Sequence, residues 1–237
     1  MTIRDSVIAG LRAAAEPARA PRQQAYMKSE MPYFGVGVPE CRRIAGSVFR
    51  THPLAAAGAW ETAILELWRK AAHREERYAA VELLLFPRYS RWLEPARIPL
   101  IEELVITGAW WDYVDPIAAR GVGTMLAVHP RATKAVLREW AGDDDIWKRR
   151  TAILAQLRCK KATDRTLLAD AIRPSIGNPE LFLRKGIGWA LREYSKTDPA
   201  WVRAFLETRA GLSDLSRREA LKHLARRNAA TIPRATR

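Results

Sequence analysis

The sequence contains few of the residue types that build disulfide frameworks or metal sites. Among its 237 residues are only two cysteines, Cys41 and Cys159, and four histidines. The two cysteines are isolated, which fits reduced thiols in the cytosol better than a disulfide framework. The histidines show no ligand spacing, so we expect no metal site.

Long apolar runs and the signatures of cofactor-binding loops are also missing. The longest apolar stretch, residues 81–86, is interrupted by a glutamate and is far short of the roughly 20 residues that span a bilayer. No signal peptide is evident, so we expect a cytoplasmic, nucleoid-associated protein. The Gly-Val-Gly sequences at residues 35–37 and 121–123 lack the third glycine and the preceding strand of a dinucleotide loop. We expect no cofactor.

Acidic residues are in short supply. The chain has 26 Asp and Glu against 40 Lys and Arg, which gives a formal net charge of +14. So large an excess indicates a polyanionic partner, most simply nucleic acid, with a membrane surface as the second choice. The alternative is a basic protein that has no polyanionic partner, and composition alone does not distinguish the two.

Helical periodicity dominates the chain, and no convincing run alternates as a strand does. Apolar residues recur at i, i+3, i+4 and i+7, and prolines stand near many of the helix starts. Ser213 or Ser216 is predicted to cap the last helix, and Asn178 the helix before Leu181. We predict an all-α protein with helices starting near residues 2, 21, 39, 60, 75, 95, 110, 130, 145, 164, 178, 198 and 215.

A basic residue followed by small and apolar residues recurs at intervals of about 30–43 residues, the range of paired-helix repeats. We predict stacked helix pairs with a concave, basic face that binds an extended partner. A non-repetitive helical bundle is the alternative. We expect a single domain over residues 1–228, a disordered basic tail over residues 229–237, and a monomer. The repeat anchors are Arg77, Arg120, Arg150, Lys185 and Arg218.

The stretch at residues 108–116 contains two adjacent tryptophans followed by two carboxylates. Trp111 and Asp115 are four residues apart and share one face if the segment is helical. A carboxylate beside an indole can stabilise a cationic ligand. However, Asp115 precedes Pro116, a pair that is also typical of a capping aspartate at a helix start.

Other candidate residues follow from spacing on helices. Arg150 falls on an apolar face, where it either bridges neighbouring repeats or faces a groove and binds phosphate. Lys185, Trp189 and Arg192 share one face, either as a packed indole between cations or as a platform for a nucleotide. The remaining tryptophans that we assign to packing are Trp60, Trp68, Trp92, Trp140, Trp147 and Trp201.

Blocks along most of the chain resemble the AlkD-type DNA alkylpurine glycosylases, which are built from HEAT-like repeats. The most specific are the Trp-Trp-Asp sequence beginning at Trp110 and the Gly-Ile-Gly-Trp-Ala-Leu-Arg-Glu-Tyr sequence at residues 186–194. Shorter blocks agree in order around them. They lie at residues 24–28, 34–36, 66–68, 146–154 and 215–220.

The resemblance implies a HEAT-like fold that holds duplex DNA and removes positively charged N3- and N7-alkylated purines without flipping the base. It implies that Asp115, Trp111 and Trp189 are catalytic, that Arg150 supports them, and that Tyr26 lies near the DNA. With Lys185 and Arg192, residues Tyr26, Trp111, Arg150 and Trp189 form the predicted DNA-binding set.

The predicted reaction is simple hydrolysis to an abasic site, because no lysine nucleophile is evident. Two other functions stay open at this stage. One is a DNA-damage-binding protein on the same scaffold that lacks catalysis. The other is a protein-interaction solenoid whose basic face is only solvated.

Overall fold

The computed structural model describes residues 2–231, and their side chains as far as residue 225. The chain divides into two compact units, Met1–Leu93 and Glu94–Arg237. No strand occurs among the described residues, so the predicted all-α class is confirmed. No described helix is long and apolar enough to cross a membrane.

The first unit is built from five helices, and most of their starts match the predicted positions to within a residue or two. Thr2 begins the first helix with a capping box: its hydroxyl accepts from the Asp5 amide at 3.1 Å, and Asp5 accepts from the Thr2 amide at 3.0 Å. The helices are α1 (Ile3–Ala13), α2 (Ala20–Met27), α3 (Val38–Thr51), α4 (Ala57–Arg69) and α5 (Arg74–Leu84).

The described part of the second unit contains nine α-helices, and aspartates cap several of them. Asp145 accepts from two amides of its helix, and Asp164 and Asp198 each accept from one. The helices are α6 (Ile98–Gly108), α7 (Trp111–Pro116), α8 (Gly123–Val128), α9 (Pro130–Ala141), α10 (Ile146–Leu154), α11 (Arg165–Ile172), α12 (Leu181–Tyr194), α13 (Pro199–Glu207) and α14 (Asp214–Thr231).

Two capping predictions had different outcomes. Ser213 lies before α14, and its hydroxyl accepts from the Ser216 amide at 3.2 Å. The prediction of Asn178 as the cap of α12 is wrong, because Glu180 occupies that position and accepts from the Phe182 amide. Asn178 instead accepts from the Glu180 amide and so supports the turn before the helix.

Helices in the second unit stack in the manner of paired-helix repeats. Helix α10 contacts α9, which precedes it in the chain. Contacts also link helices two positions apart: α9 with α11, α10 with α12, and α12 with α14. Such pair-on-pair contacts bury a continuous core between successive repeats. The predicted repeat architecture is thus confirmed over this part of the chain.

The repeat anchors do not form a uniform row of cations. Arg150 is buried, whereas Lys185, at the corresponding place of the next repeat, is exposed. Arg77 lies over the Trp68 ring, 4.7 Å from its centroid. These basic residues occupy the same position in the repeated sequence pattern, but their side chains have different surroundings.

Core packing accounts for most of the tryptophans that were assigned to it. Trp60, Trp68, Trp140 and Trp147 are buried. Trp92 and Trp201 are half-buried, and each stacks on a neighbouring ring.

A buried lysine with two partly exposed carboxylates connects α6 to α10. Lys148, on α10, lies 2.6 Å from a Glu102 oxygen on α6 and 2.5 Å from an Asp143 oxygen in the turn before α10. This pairing compensates for the burial of the lysine ammonium group. It holds the start of α10, and therefore Arg150, in place.

The expectation of a disordered basic tail over residues 229–237 stays a prediction. Residues 229–231 continue α14, and residues 232–237 lie outside the described part of the chain. The expectation of a single domain over residues 1–228 also stays a prediction, although the chain divides into two compact units.

Candidate active site

Asp115 lies inside a helix and is not a helix cap. Helix α7 begins at Trp111, with Trp110 as its N-cap, and continues through Pro116. The alternative of a capping aspartate is therefore excluded, and Trp111 and Asp115 lie one helical turn apart.

Pro116 ends α7, and the helical backbone widens immediately afterwards. Residues Ile117–Val122 form a π-helical segment that leads directly into α8. Proline has no amide hydrogen and its ring crowds the preceding turn, which a regular α-helix does not accommodate. A π segment is a usual response to such a disruption and is frequent at functional sites.

Asp115 and Arg150 form a two-point ion pair between α7 and α10. Arg150 Nε donates to Asp115 Oδ1 at 2.7 Å, and Arg150 Nη2 donates to Oδ2 at 2.9 Å. Asp115 is 9% exposed and Arg150 is 4% exposed. The planar guanidinium fixes both the position and the plane of the carboxylate.

Helix α12 supplies the third partner of the guanidinium. Arg150 Nη1 donates to the backbone carbonyl of Phe182. All three nitrogens of Arg150 thus donate within the protein, on two different helices. Of the two alternatives for Arg150, a buried bridge between neighbouring repeats or a phosphate-binding cation in a groove, these contacts match the first.

Burial and the neighbouring charges both shift the pKa of Asp115. Burial raises the pKa of Asp115 above its ordinary value; Arg150 opposes this effect through its hydrogen bonds and its charge, while nearby Asp112 adds to it. A carboxylate oxygen with one hydrogen bond keeps a further lone pair. When ionised, Asp115 can therefore stabilise a nearby cation or accept a proton from water.

Indoles lie on both sides of the ion pair in sequence. Trp111 on α7 and Trp189 on α12 are half-buried, so part of each ring stays accessible. The packing around Phe182 is aromatic: its ring lies 5.2 Å from the Trp110 ring and 5.0 Å from the Trp147 ring, centroid to centroid. These three rings pack together beside the Phe182 carbonyl that accepts from Arg150.

The two predicted cations of α12 differ in their local environment. Lys185 is exposed, whereas Arg192 is half-buried and donates to Glu219 of α14 at 2.7 Å. Glu219 also accepts from Lys222. The hydrogen bond from Lys222, reinforced by the charges of Arg192 and Lys185, lowers the pKa of Glu219. One carboxylate thus partly neutralises a group of three cations.

Tyr26 belongs to the first unit, at the end of α2. Its side chain is 76% exposed, the largest exposure of any large apolar side chain among the described residues. It is available for contact with a partner.

Three contributors to the geometry were not predicted from the sequence. The Phe182 carbonyl accepts a hydrogen bond from Arg150, and Gly186 lies beside the Arg150 side chain. Glu219 accepts a hydrogen bond from Arg192. A backbone carbonyl leaves no signal in a sequence. Gly186 and Glu219 lie inside the blocks that carry the resemblance, but side-chain pairing between separate helices is not visible from spacing.

Known proteins similar to this chain belong to one family. No curated protein matches the chain. A solved structure described as a predicted DNA alkylation repair enzyme from Enterococcus faecalis is 29% identical, with a TM-score of 0.71, and the match covers 89% of this chain and 97% of that one.

A second solved structure shows a similar fold at low identity. It is the Pseudomonas fluorescens alkylpurine DNA glycosylase AlkC bound to DNA containing an abasic site analog, which is 16% identical with a TM-score of 0.53. The match covers 94% of this chain and 61% of that one. The model of the DNA alkylation repair enzyme family matches residues 7–224. The chain therefore belongs to the DNA alkylation repair enzyme family.

Proposed function

We propose that this protein is a monofunctional DNA glycosylase that hydrolyses the N-glycosidic bond of positively charged N3- and N7-alkylated purines in duplex DNA. The observation that carries the proposal is the buried Asp115 carboxylate, fixed by Arg150 and placed on the same helix as the accessible indole of Trp111. Membership of the DNA alkylation repair enzyme family supports it.

The chemistry of the substrate fits one positioned carboxylate. An alkylated purine is already cationic and leaves without strong acid assistance. As the glycosidic bond breaks, positive charge develops on the deoxyribose, and the Asp115 carboxylate stabilises it in the manner of an inverted oxyanion hole. Asp115 also accepts a proton from the attacking water. The products are the free base and an abasic site with an intact backbone.

The indoles and the cations have separate tasks in this proposal. Trp111 and Trp189 pack against the DNA backbone beside the lesion and exclude bulk water from Asp115. Tyr26, Lys185 and Arg192 contact the DNA. Because all three of its nitrogens donate to protein oxygens, Arg150 acts by positioning Asp115 rather than by binding a phosphate.

The base is proposed to stay in the helix stack, as the resemblance to the AlkD-type enzymes implies. A base that leaves the stack unstacks its neighbours. The fluorescence of 2-aminopurine placed next to the lesion reports such unstacking. We expect little increase on binding, and a large increase would replace this part of the proposal with a base-flipping mechanism.

The direct test is release of N7-methylguanine and N3-methyladenine from methylated duplex DNA, measured by mass spectrometry with purified protein. We expect base release that leaves alkali-sensitive abasic sites and no strand break before alkali. Tight duplex binding without base release would instead indicate a DNA-damage-binding protein.

A salt titration separates a DNA-binding protein from a protein-interaction scaffold. Displacement of counterions from DNA makes the affinity fall steeply as salt rises, with a slope that counts the neutralised phosphates. We expect such a slope and a monomer throughout. Absence of duplex affinity at low salt would favour a protein-interaction function.

A further inference from the structure

Gly186 lies where the guanidinium of Arg150 approaches α12. A β-carbon built on Gly186 would lie 3.1 Å from Arg150 Nη1, 3.8 Å from its Cγ and 3.9 Å from its Cζ. Gly186 is buried. A side chain at this position would therefore press on the Arg150 side chain.

Backbone conformation does not explain a glycine at this position. Gly186 lies inside α12 and is not among the residues with positive φ. A glycine in a helix interior costs about 1 kcal/mol relative to alanine. Its presence is consequently unfavourable for the helix, and the space that it leaves for Arg150 is what offsets this cost.

The Phe182 carbonyl makes the same surface of α12 a docking site for the guanidinium. Phe182 is four residues before Gly186, so in a regular helix its carbonyl also accepts from the Gly186 amide. A carbonyl oxygen has a second lone pair, and Arg150 Nη1 donates to it. Gly186 thus leaves open the approach by which Arg150 reaches this carbonyl.

We propose that Gly186 is a positioning residue of the active site: its missing side chain lets Arg150 dock on α12 and so holds the Asp115 carboxylate in its reactive orientation. The inference rests on the proposed function, because it assigns Gly186 to the same reaction. It predicts that a methyl group at this position damages catalysis while it favours the helix.

The first test is Gly186→Ala, assayed for base release at saturating and limiting DNA. We expect kcat to fall on the order of ten- to a hundredfold, since small displacements of a catalytic group have effects of that size. We expect KM to change little and the melting temperature to stay equal or rise. A wild-type kcat in this variant would overturn the inference.

Gly37→Ala is a matched control. A β-carbon at Gly37, before α3, would lie 3.0 Å from Arg19 Nη2, the same kind of contact with a guanidinium but with a half-exposed arginine in the first unit. This arginine can move into solvent. We expect wild-type kcat, and an equal loss in both variants would show that the effect of Gly186→Ala is not specific to the site.

A double-variant cycle tests whether the effect passes through Arg150. Arg150→Lys keeps a cation beside Asp115 but removes the guanidinium that faces Gly186. If Gly186 acts by positioning Arg150, adding Gly186→Ala to Arg150→Lys should lower kcat less than about twofold further, because coupled residues are not additive. Fully additive losses would assign Gly186 a merely structural role.

A second readout does not depend on activity. The Asp115 carboxyl resonance is followed by NMR against pH in the wild type and in Gly186→Ala. Displacing the guanidinium weakens its interaction with the Asp115 carboxylate, which opposes the effect of burial on the pKa of Asp115. We therefore expect the pKa of Asp115 to be higher in the variant. An unchanged titration overturns the inference. If the wild type releases no base, the proposed function fails, and this titration still decides the role of Gly186.

Discussion

The Asp115–Arg150 pair illustrates how a single buried interaction serves both stability and reactivity. Its members are almost fully removed from water, yet each satisfies the charge of the other through two hydrogen bonds. Such pairs often contribute little net stability, whereas loss of one partner is costly. Variants at this site must therefore be assayed for folding as well as for turnover.

Asp115→Asn is expected to lower base release by at least about a hundredfold, because an amide cannot stabilise a developing cation as a carboxylate does. The variant should also lose roughly 3–5 kcal/mol of stability, since Arg150 is left without its counter-charge. Base release per folded molecule and thermal denaturation measure the two effects.

Asp115→Asn combined with Arg150→Gln is the control for this loss. Removing both charges should recover part of the stability while base release stays absent. If Asp115→Asn retains the wild-type turnover, Asp115 is not the catalytic group.

The pH profile of base release should follow the ionisation of Asp115. Because burial raises the pKa of Asp115, activity should fall with decreasing pH at values above the ordinary aspartate range near 3.9. Below this pKa the protonated carboxyl neither stabilises a developing cation nor accepts a proton from water, which is why the rate falls toward acid. Rates between about pH 4 and pH 8 measure the profile.

Arg150→Lys provides the comparison for the pH profile. Its weaker interaction with the carboxylate should move the inflection to higher pH. Uncatalysed loss of alkylated bases is subtracted at each pH. A flat profile in both proteins would show that ionisation of Asp115 does not control the reaction.

At the scale of elements, the first unit also depends on a buried carboxylate. Glu75 of α5 is fully buried, and it accepts from the backbone amides of Phe34, Gly35 and Val36 at 3.0–3.1 Å. Gly35 has φ +91°, and a β-carbon there would lie 2.1 Å from the Glu16 carbonyl oxygen. The segment before α3 is thus a turn whose backbone amides bind a carboxylate, and only glycine fits at position 35 of this turn.

Glu75→Gln should destabilise the protein by about 2–4 kcal/mol, because one end of the amide is a donor and leaves backbone amides unsatisfied. Chemical denaturation measures the change. Glu139→Gln, on the exposed surface of α9, is the comparison and should change stability by less than about 0.5 kcal/mol. Equal stability of wild type and Glu75→Gln would contradict the assigned role of this carboxylate.

At the scale of the whole molecule, the distribution of charge matters as much as its total. The formal net charge is +14, but many cations of the described residues are paired locally. Glu219 holds Arg192 and Lys222 on the surface formed by α12 and α14. A DNA phosphate that contacts these cations must compete with Glu219.

Glu219→Gln is therefore expected to raise duplex affinity by a few-fold and to steepen its salt dependence, since about one more cation becomes available for phosphate. Binding titrations at several salt concentrations measure both quantities. Glu207→Gln makes the same change of net charge on the exposed surface of α13 and should have a smaller effect. Equal effects would mean that only the total charge matters.

The sequence by itself determined the features that depend on neighbours along the chain. Periodicity and prolines located the helices, and the apolar face around Arg150 predicted its burial. The blocks around Trp110 and at residues 186–194 indicated the family. These features are local, because helix formation and capping involve residues within four positions of one another.

Only the tertiary structure decided which side chains meet. Asp115 and Arg150 are separated by 35 residues, Arg150 and Phe182 by 32, and Arg192 and Glu219 by 27. Whether such residues touch depends on how helices pack, and helical spacing does not contain that information. The same holds for Pro116: the local sequence allows Asp115 to be a helix cap or to lie inside a helix, and the structure has it inside α7.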